Sequence, residues 1–174
     1  MKTLIYNEDG ISENEIDETV TRVKLFIINE KNEIIIALSN GGIQLPGGHV
    51  EKDETMAETI IREVLEETGI QVKEHEILPP FLEIKYYTKN YNNTGENRVS
   101  NVIYYVIRTN KEVDTSKMNL TEREKDYKFS VKYVTVKNFC EFVASYIDKS
   151  DHSINNVIIK EILVAFNELT KNQL

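Results

Sequence analysis

An arginine and three glutamates lie close together in the chain, at Arg62, Glu63, Glu66 and Glu67. On a helix each residue turns by about 100°, which places the three carboxylates within roughly 100° of one another. Hard oxygen ligands without a His or Cys cluster favour Mg²⁺ or Mn²⁺ over zinc. Such a cation can orient phosphoryl oxygens and make water a better nucleophile. The spacing therefore indicates metal-assisted attack of water on phosphorus.

The same acids could form an ordinary solvated helix face, which is the usual meaning of a charge cluster. Two features disfavour that alternative. Glu63 and Glu67 are like charges four residues apart, and Glu66 and Glu67 fall in the last helical turn, where the negative end of the helix dipole repels them. A bound cation would relieve both penalties, and a broken local rule is typical of a functional site.

The segment from residue 53 to 69 has the strongest helical pattern in the chain. Thr55 followed by Glu58 predicts a capping box at its start, and Gly69 suits a left-handed cap at its end. The apolar groups centre roughly 140° from the acids, so we expect the helix to bury one side and present all three carboxylates from the other. These apolar groups are Ala57, Ile61, Val64, Leu65 and the methyl group of Thr68.

A glycine pair precedes the helix in the sequence Leu45-Pro46-Gly47-Gly48. Without side chains, its backbone groups can approach a phosphate or a metal ion closely. Taken alone the motif is weak, because an ordinary turn after a strand has the same composition. Its position beside the acidic segment strengthens the interpretation as a loop that binds a phosphate or a metal ion.

From Gly48 to Ile70 the sequence reads G-x5-E-x7-R-E-U-x-E-E-x-G-U, where U is aliphatic. This pattern resembles the Nudix box without a departure, and the flanking segments are also similar to a Nudix domain. The resemblance implies a single Nudix hydrolase domain over residues 1–174, with an α/β (α+β) fold. The architecture it implies is a Nudix-type α/β/α sandwich with a central mixed β-sheet.

The resemblance also implies which residues bind the metal and carry the reaction. Glu63, Glu66 and Glu67 match the family's metal ligands and are the candidate catalytic residues. Gly47, just before the box, matches a position that often contributes a carbonyl oxygen. The implied cofactor is Mg²⁺, with Mn²⁺ as an alternative.

Other residues are expected to support or complete the site. Arg62 and Glu54 match a pair that is usually structural in the family, so we expect an ion pair that holds the helix to the preceding loop, with Gly48 beside it. The general base stays open: it is either a glutamate of the box or a carboxylate on a distant loop. Glu122 and Glu124 are the distant candidates, and solvated loop acids are the alternative reading of both.

The family hydrolyses compounds in which a nucleoside diphosphate is linked to another group. The expected substrate is thus a small nucleotide-like diphosphate. Within that class, a nucleoside triphosphate or a dinucleoside polyphosphate is favoured. Many relatives carry an aromatic residue where this chain has Gln44, so a stacking partner for the base must come from elsewhere. Tyr86 and Tyr87 are weak candidates, because a tyrosine at that distance past the box accompanies dinucleoside polyphosphate hydrolases. Sheet packing also explains an alternating pair of this kind.

The remaining pattern predicts strands and helices that alternate along the chain, so we expect a mixed sheet with helices packed on it. Cys140 is expected on the core face of a helix. The predicted elements are two hairpins, residues 20–28 with 33–38 and 81–88 with 98–108, a strand at 131–136, and helices at 137–147 and 153–170.

The chain has 174 residues and a formal net charge of −8, from 21 Lys and Arg against 29 Asp and Glu. Its length predicts one domain, and its acidity disfavours nonspecific binding of nucleic acid. Cys140 is the only cysteine, which excludes an internal disulfide. No apolar run is long enough for a secretory signal or a membrane span, so we expect a cytoplasmic protein without membrane contact. A homodimer stays an open alternative.

Two other functions are alternatives to hydrolysis. One is a Nudix-like module that senses a nucleotide without catalysis, although such modules usually lose box carboxylates, and this chain keeps them all. The other is an isomerase of the isopentenyl diphosphate type. It needs a catalytic cysteine near the site, and Cys140 is poorly placed for that role.

Overall fold

The structure is a computed structural model, and it describes residues 1–40, 42–147 and 153–172. This part of the chain contains seven strands and four α-helices. In chain order they are β1 (Lys2–Tyr6), β2 (Glu18–Ile28), β3 (Glu33–Ser39), β4 (Gly42–Gln44), α1 (Met56–Thr68), β5 (Leu82–Thr88), β6 (Arg98–Arg108), α2 (Glu122–Asp126), β7 (Ser130–Thr135), α3 (Phe139–Ala144) and α4 (Ser153–Asn172).

The strands form one mixed sheet in the order β1-β5-β6-β2-β3-β4, with β7 paired to β3. Its centre is the parallel pair of β2 and β6, which stay in register along the full length of both strands. On one side β5 and β6 form an antiparallel hairpin, and β1 adds to β5 in parallel. The central mixed sheet predicted from the sequence is therefore confirmed.

Alternation along β2 divides the core into two layers. Val23, Leu25 and Ile27 point to the side of α1, whereas Phe26 and Ile28 point to the side of α3 and α4. Successive strand residues face opposite sides, so a buried central strand is apolar on both. Helices thus cover both faces of the sheet, which confirms the predicted α/β/α sandwich.

The structure also departs from the sequence prediction in places. Strands β2 and β3 do pair, as the first predicted hairpin requires. The strand that pairs with β2 along its full length, however, is β6 rather than β3. Strand β1 was not predicted, because it is short and mostly exposed and so shows no alternation. Cys140 is exposed, which contradicts the expected core position. Phe139 and Val143 are the residues of α3 that enter the core.

Among the described residues, none of the helices combines the length and the apolar character that crossing a membrane requires.

Candidate active site on helix α1

Helix α1 begins and ends where local sequence signals place its caps. The hydroxyl of Thr55 accepts a hydrogen bond from the amide of Glu58, whose carboxylate in turn accepts from the amide of Thr55. Gly69 ends the helix in the left-handed conformation, with φ 69°, and donates its amide to the carbonyl of Leu65. The predicted capping box and left-handed cap are both confirmed.

The buried side of α1 is rotated from the one that the helical wheel predicted. Ile60, Val64 and Glu67 face inward together, whereas Glu63 and Glu66 are partly buried. Glu67 is only 4% exposed, so the expectation that all three carboxylates face away from the core is wrong for this residue. Burial is tolerated because the amide of Gly47 donates to Glu67 Oε2 at 2.8 Å.

Arg62 bonds to three glutamates around helix α1. Its Nε and Nη2 bind both carboxylate oxygens of Glu54, at 2.8 and 2.9 Å, in a bidentate pair. Its Nη1 donates to Glu63 Oε1 at 2.7 Å and to Glu66 Oε2 at 3.3 Å. These bonds lower the pKa of Glu54 to about 2 and raise that of Arg62. The arginine thus ties the helix to the preceding loop while holding two acids of the cluster.

Gly47 and Gly48 lie where the chain passes between β2 and α1. The amides of Val23 and Leu25 donate to the carbonyls of Gly48 and Pro46, at 2.9 and 3.0 Å. Gly47 has φ 124°, and a Cβ there would overlap the carbonyl oxygen of Val23. A Cβ on Gly48 would lie 2.6 Å from the carboxyl carbon of Glu63. Gly47 therefore needs glycine both for close approach to β2 and for its backbone conformation, whereas a Cβ on Gly48 would displace the carboxylate of Glu63.

Lys24 is a residue of the site that the sequence prediction missed. Its Nζ donates to the carbonyls of Leu45 and Gly47, each at 3.0 Å, and so joins β2 to the glycine loop. Burial lowers the pKa of Lys24, and the charge of Glu67 is the first of three acidic charges that oppose this shift. A lysine inside an apolar strand run was the available signal, since such residues are seldom buried without a partner.

We expect Lys24→Met to lower kcat by about 10- to 100-fold, because the Gly47 loop loses two hydrogen bonds that fix its position beside Glu67. The far-UV circular dichroism should stay unchanged. The hydrogen-exchange rate of the Gly47 amide should increase. Lys85→Met, a change on strand β5, is the control. Equal kcat in wild type and Lys24→Met would contradict a positioning role.

Burial dominates the electrostatics of the acidic cluster. It raises the pKa of Glu67 to about 8, against the lowering effects of Lys24 and of the bond from Gly47. Burial also raises the pKa of Glu63, although the bond from Arg62 opposes it. Without a bound cation, Glu67 is therefore largely protonated at neutral pH.

This shift predicts how the stability of the metal-free protein depends on pH. The folded pKa of Glu67, about 8, lies above its ordinary value of 4.5, so between these values the folded state binds the extra proton. The free energy of unfolding should then fall as pH rises from about 4.5 to 8. Thermal melts in EDTA across that range test this. Glu67→Gln should flatten the profile, and an equally steep profile in the variant would contradict the assignment.

The structure separates the two distant acid candidates. Glu122 is exposed and pairs with Lys125 at 2.7 Å. Glu124 accepts from the amide and hydroxyl of Thr121, and its charge is one of those that raise the pKa of Glu67. Both lie at helix α2, and the charge of Glu124 acts on Glu67.

The two tyrosine candidates lie on opposite faces of β5. Tyr86 faces the α4 side and stacks on Tyr6, whereas the hydroxyl of Tyr87 donates to Glu13. His49, just past the glycine pair, forms an isolated β-bridge with Arg22. Its ring Nε2 accepts from Arg22 Nε at 2.9 Å.

The donor chemistry of the cluster fits a hard divalent cation. Its oxygens come from carboxylates and backbone carbonyls, and Gly48 leaves the carboxylate of Glu63 unobstructed. In the described part of the chain, no three acidic, His or Cys side chains converge on a common point. Glu63 and Glu66 turn to Arg62, and Glu67 turns to Gly47. Binding a cation would require the first two to share or leave the guanidinium.

Comparison with solved structures identifies the fold class. A MutT protein from Methanosarcina mazei Go1 is 18% identical, with a TM-score of 0.54 over 89% of this chain and 97% of that one. The E. coli ORF135 protein is 13% identical, with a TM-score of 0.53 over 86% and 91%. A Francisella tularensis bifunctional NMN adenylyltransferase/ADP ribose pyrophosphatase, complexed with AMP and a Mn ion, is 21% identical, with a TM-score of 0.52. That match covers 85% of this chain but 42% of the bifunctional protein.

These similarities, with the acidic helix set against a glycine loop, define a Nudix-type α/β/α fold. The family profile of the NUDIX domain matches residues 18–151. The chain belongs to the Nudix family.

Proposed function

We propose that the protein is a metal-dependent pyrophosphohydrolase that cleaves a diphosphate linkage in a nucleoside diphosphate derivative. A nucleoside triphosphate or a dinucleoside polyphosphate is the substrate to test first. The observation that carries the proposal is the complete set of box glutamates beside the Gly47 amide, in a chain of the Nudix family. We also propose that residues 1–174 form one domain and act in the cytoplasm.

Glu63, Glu66, Glu67 and the carbonyl of Gly47 would hold the cation, Mg²⁺ or Mn²⁺. When bound, such a cation neutralises phosphoryl oxygens and lowers the pKa of water. Lys24 already occupies one side of the Gly47 carbonyl, and a carbonyl oxygen has two lone pairs. Arg62 supports the site by fixing Glu54 and the helix, which makes it a positioning residue.

The reaction is an exchange of one bond to phosphorus for another. The oxygen of water forms a bond to a phosphorus of the diphosphate, the bridging P–O bond breaks, and its electron pair stays on the leaving phosphoryl oxygen. The water gives up a proton to a carboxylate. The box glutamates, Glu124 and Glu122 are the candidates for that base. We place Glu124 before Glu122, because Glu122 is exposed and paired with Lys125.

A substrate panel tests the proposed function. Nucleoside triphosphates, dinucleoside polyphosphates, ADP-ribose and sugar nucleotides would each be incubated with Mg²⁺, Mn²⁺ or EDTA, and the phosphate-containing products separated. We expect metal-dependent turnover of at least one class. Tight nucleotide binding by calorimetry, without product in either metal, would instead support the non-catalytic module.

A further inference from the structure

Strand β1 forms one end of the sheet, and in the described part of the chain no strand pairs with its outer edge. It also lies before residue 18, where the match to the NUDIX domain begins. An open edge exposes backbone donors and acceptors to other chains, so natural proteins usually protect it with proline, a bulge or charges. Strand β1 has the sequence KTLIY, with one charged residue and no proline. Its outer edge is therefore available for pairing.

Apolar side chains are concentrated at this edge. Six large apolar side chains are exposed among the described residues, and three of them, Met1, Ile5 and Tyr6, lie at β1. Strand β7 pairs on one side only, with β3, yet it has none of these six and carries Lys132. Single exposed apolar residues are common, whereas a group of them on one edge strand indicates an interaction surface.

The register with β5 decides which backbone groups of β1 point outward. The amide of Lys2 donates to the carbonyl of Phe81 on the β5 side, at 3.0 Å. Alternate residues of a parallel ladder bond to the same neighbouring strand, so every second residue from Lys2 onward uses its backbone groups there. The N–H and C=O groups of Thr3 and Ile5 therefore point away from the sheet. These are the groups that a partner strand would meet.

A second copy of the same strand fits this edge if the two run antiparallel about Leu4. Thr3 of each copy then lies opposite Ile5 of the other, and such a pair exchanges both N–H···O bonds. The two-fold axis generates this pair twice. Residues opposite one another share a face of the sheet, so Ile5 would pack beside Thr3, and Tyr6 beside the aliphatic stem of Lys2. The exposed side chains are thus covered by the pairing itself.

Charge also favours the antiparallel direction. Lys2 begins β1, and Glu8 and Asp9 follow its end. An antiparallel pair brings the basic end of each strand towards the acidic end of the other, whereas a parallel pair would place like charges together. Each copy uses this edge once, so the arrangement closes at a dimer.

We propose that the protein forms a homodimer in which the β1 strands of two copies pair antiparallel about Leu4 and join their sheets. This inference goes beyond the proposed function and does not depend on it. Two strands of 5 residues bury less surface than the interface of a permanent dimer. We therefore expect exchange between monomer and dimer, with a Kd of roughly 10 μM.

Sedimentation of the full chain at concentrations from about 1 to 200 μM tests for the dimer. We expect the average mass of wild type to rise with concentration from the monomer value towards twice that value. Ile5→Lys places a charge at the paired edge and should raise Kd at least about tenfold. Val157→Lys is the matched control, because Ile5 and Val157 are similarly exposed, at 63% and 57%, but Val157 lies on α4. Its Kd should equal that of wild type.

Disulfide cross-linking tests the register, in variants that also carry Cys140→Ser to remove the native cysteine. The two copies of Leu4 would face each other in a non-hydrogen-bonded pair with Cα atoms about 4.5 Å apart, which suits a disulfide. The two copies of Lys2 would be offset by at least about 13 Å along the strands. Mild oxidation should therefore cross-link Leu4→Cys and leave Lys2→Cys monomeric.

Wild type that stays monomeric at the highest concentration, an unchanged Kd in Ile5→Lys, or equal cross-linking through both engineered cysteines would overturn the proposal. Growth beyond a dimer would also overturn it, because a two-fold pairing of one edge cannot continue. The circular dichroism of each variant should match that of wild type, which separates loss of pairing from loss of folding.

Discussion

Glu67→Gln should lower kcat by about a thousandfold while the protein stays folded. Glutamine keeps the size of the side chain and can still accept the hydrogen bond from Gly47. It removes the negative charge that Glu67 would carry beside a bound cation, and with it a proposed metal ligand. The metal-free variant should be at least as stable as wild type near pH 8, because a buried acid no longer has to ionise. Activity and stability should therefore change in opposite directions.

Steady-state kinetics on the best substrate of the panel, with thermal melts in EDTA, would measure both effects. Glu66→Gln should also lose orders of magnitude in kcat. Glu58→Gln is the control on the same helix, because glutamine preserves the capping box at Thr55 and kcat should stay within about twofold. Turnover like that of wild type in Glu67→Gln would contradict the metal assignment.

Gly47→Ala should abolish most activity and lower the free energy of unfolding by roughly 2–4 kcal/mol. The added Cβ would overlap the carbonyl oxygen of Val23 and lie 3.0 Å from its carbon, in a backbone conformation with φ 124°. Neither the strand nor the loop can move away cheaply, because Lys24 and the amide of Leu25 hold them together. Urea unfolding and the same kinetic assay would measure the two effects.

Gly95→Ala separates the two causes of that loss. Gly95 also has a positive φ, of 89°, but a Cβ there would meet nothing within 4 Å. Its substitution should cost about 1 kcal/mol from backbone strain alone and leave kcat unchanged. If Gly47→Ala is no more destabilising than Gly95→Ala, the close packing of the glycine loop on β2 is not the constraint described above.

The sequence predicted the features of the site that depend on local spacing. The capping box at Thr55 and the end of the helix at Gly69 are signals carried by residues a few positions apart. The alternation of strands and helices predicted the mixed sheet. The resemblance of the segment from Gly48 to Ile70 to the Nudix box implied the sandwich and the ion pair of Arg62 with Glu54.

Other features depend on contacts between distant segments. Glu67 is buried because the Gly47 loop crosses the last turn of α1, and a helical wheel contains no loop. Lys24 meets that loop 21 and 23 residues further along the chain. Tyr6 meets Tyr86 only because β1 pairs with β5. The fold had to be known before these contacts could be predicted.

Hydrolysis in water enriched in ¹⁸O is the most direct test of water attack on phosphorus at the acidic helix. The best substrate of the panel would be turned over once in the presence of Mg²⁺, and the products examined by mass spectrometry. We predict one ¹⁸O atom in one phosphoryl product, no product with EDTA, and product formation about a thousandfold slower with Glu67→Gln at the same enzyme concentration. Products without ¹⁸O in any phosphoryl group, or full turnover in EDTA, would contradict the account.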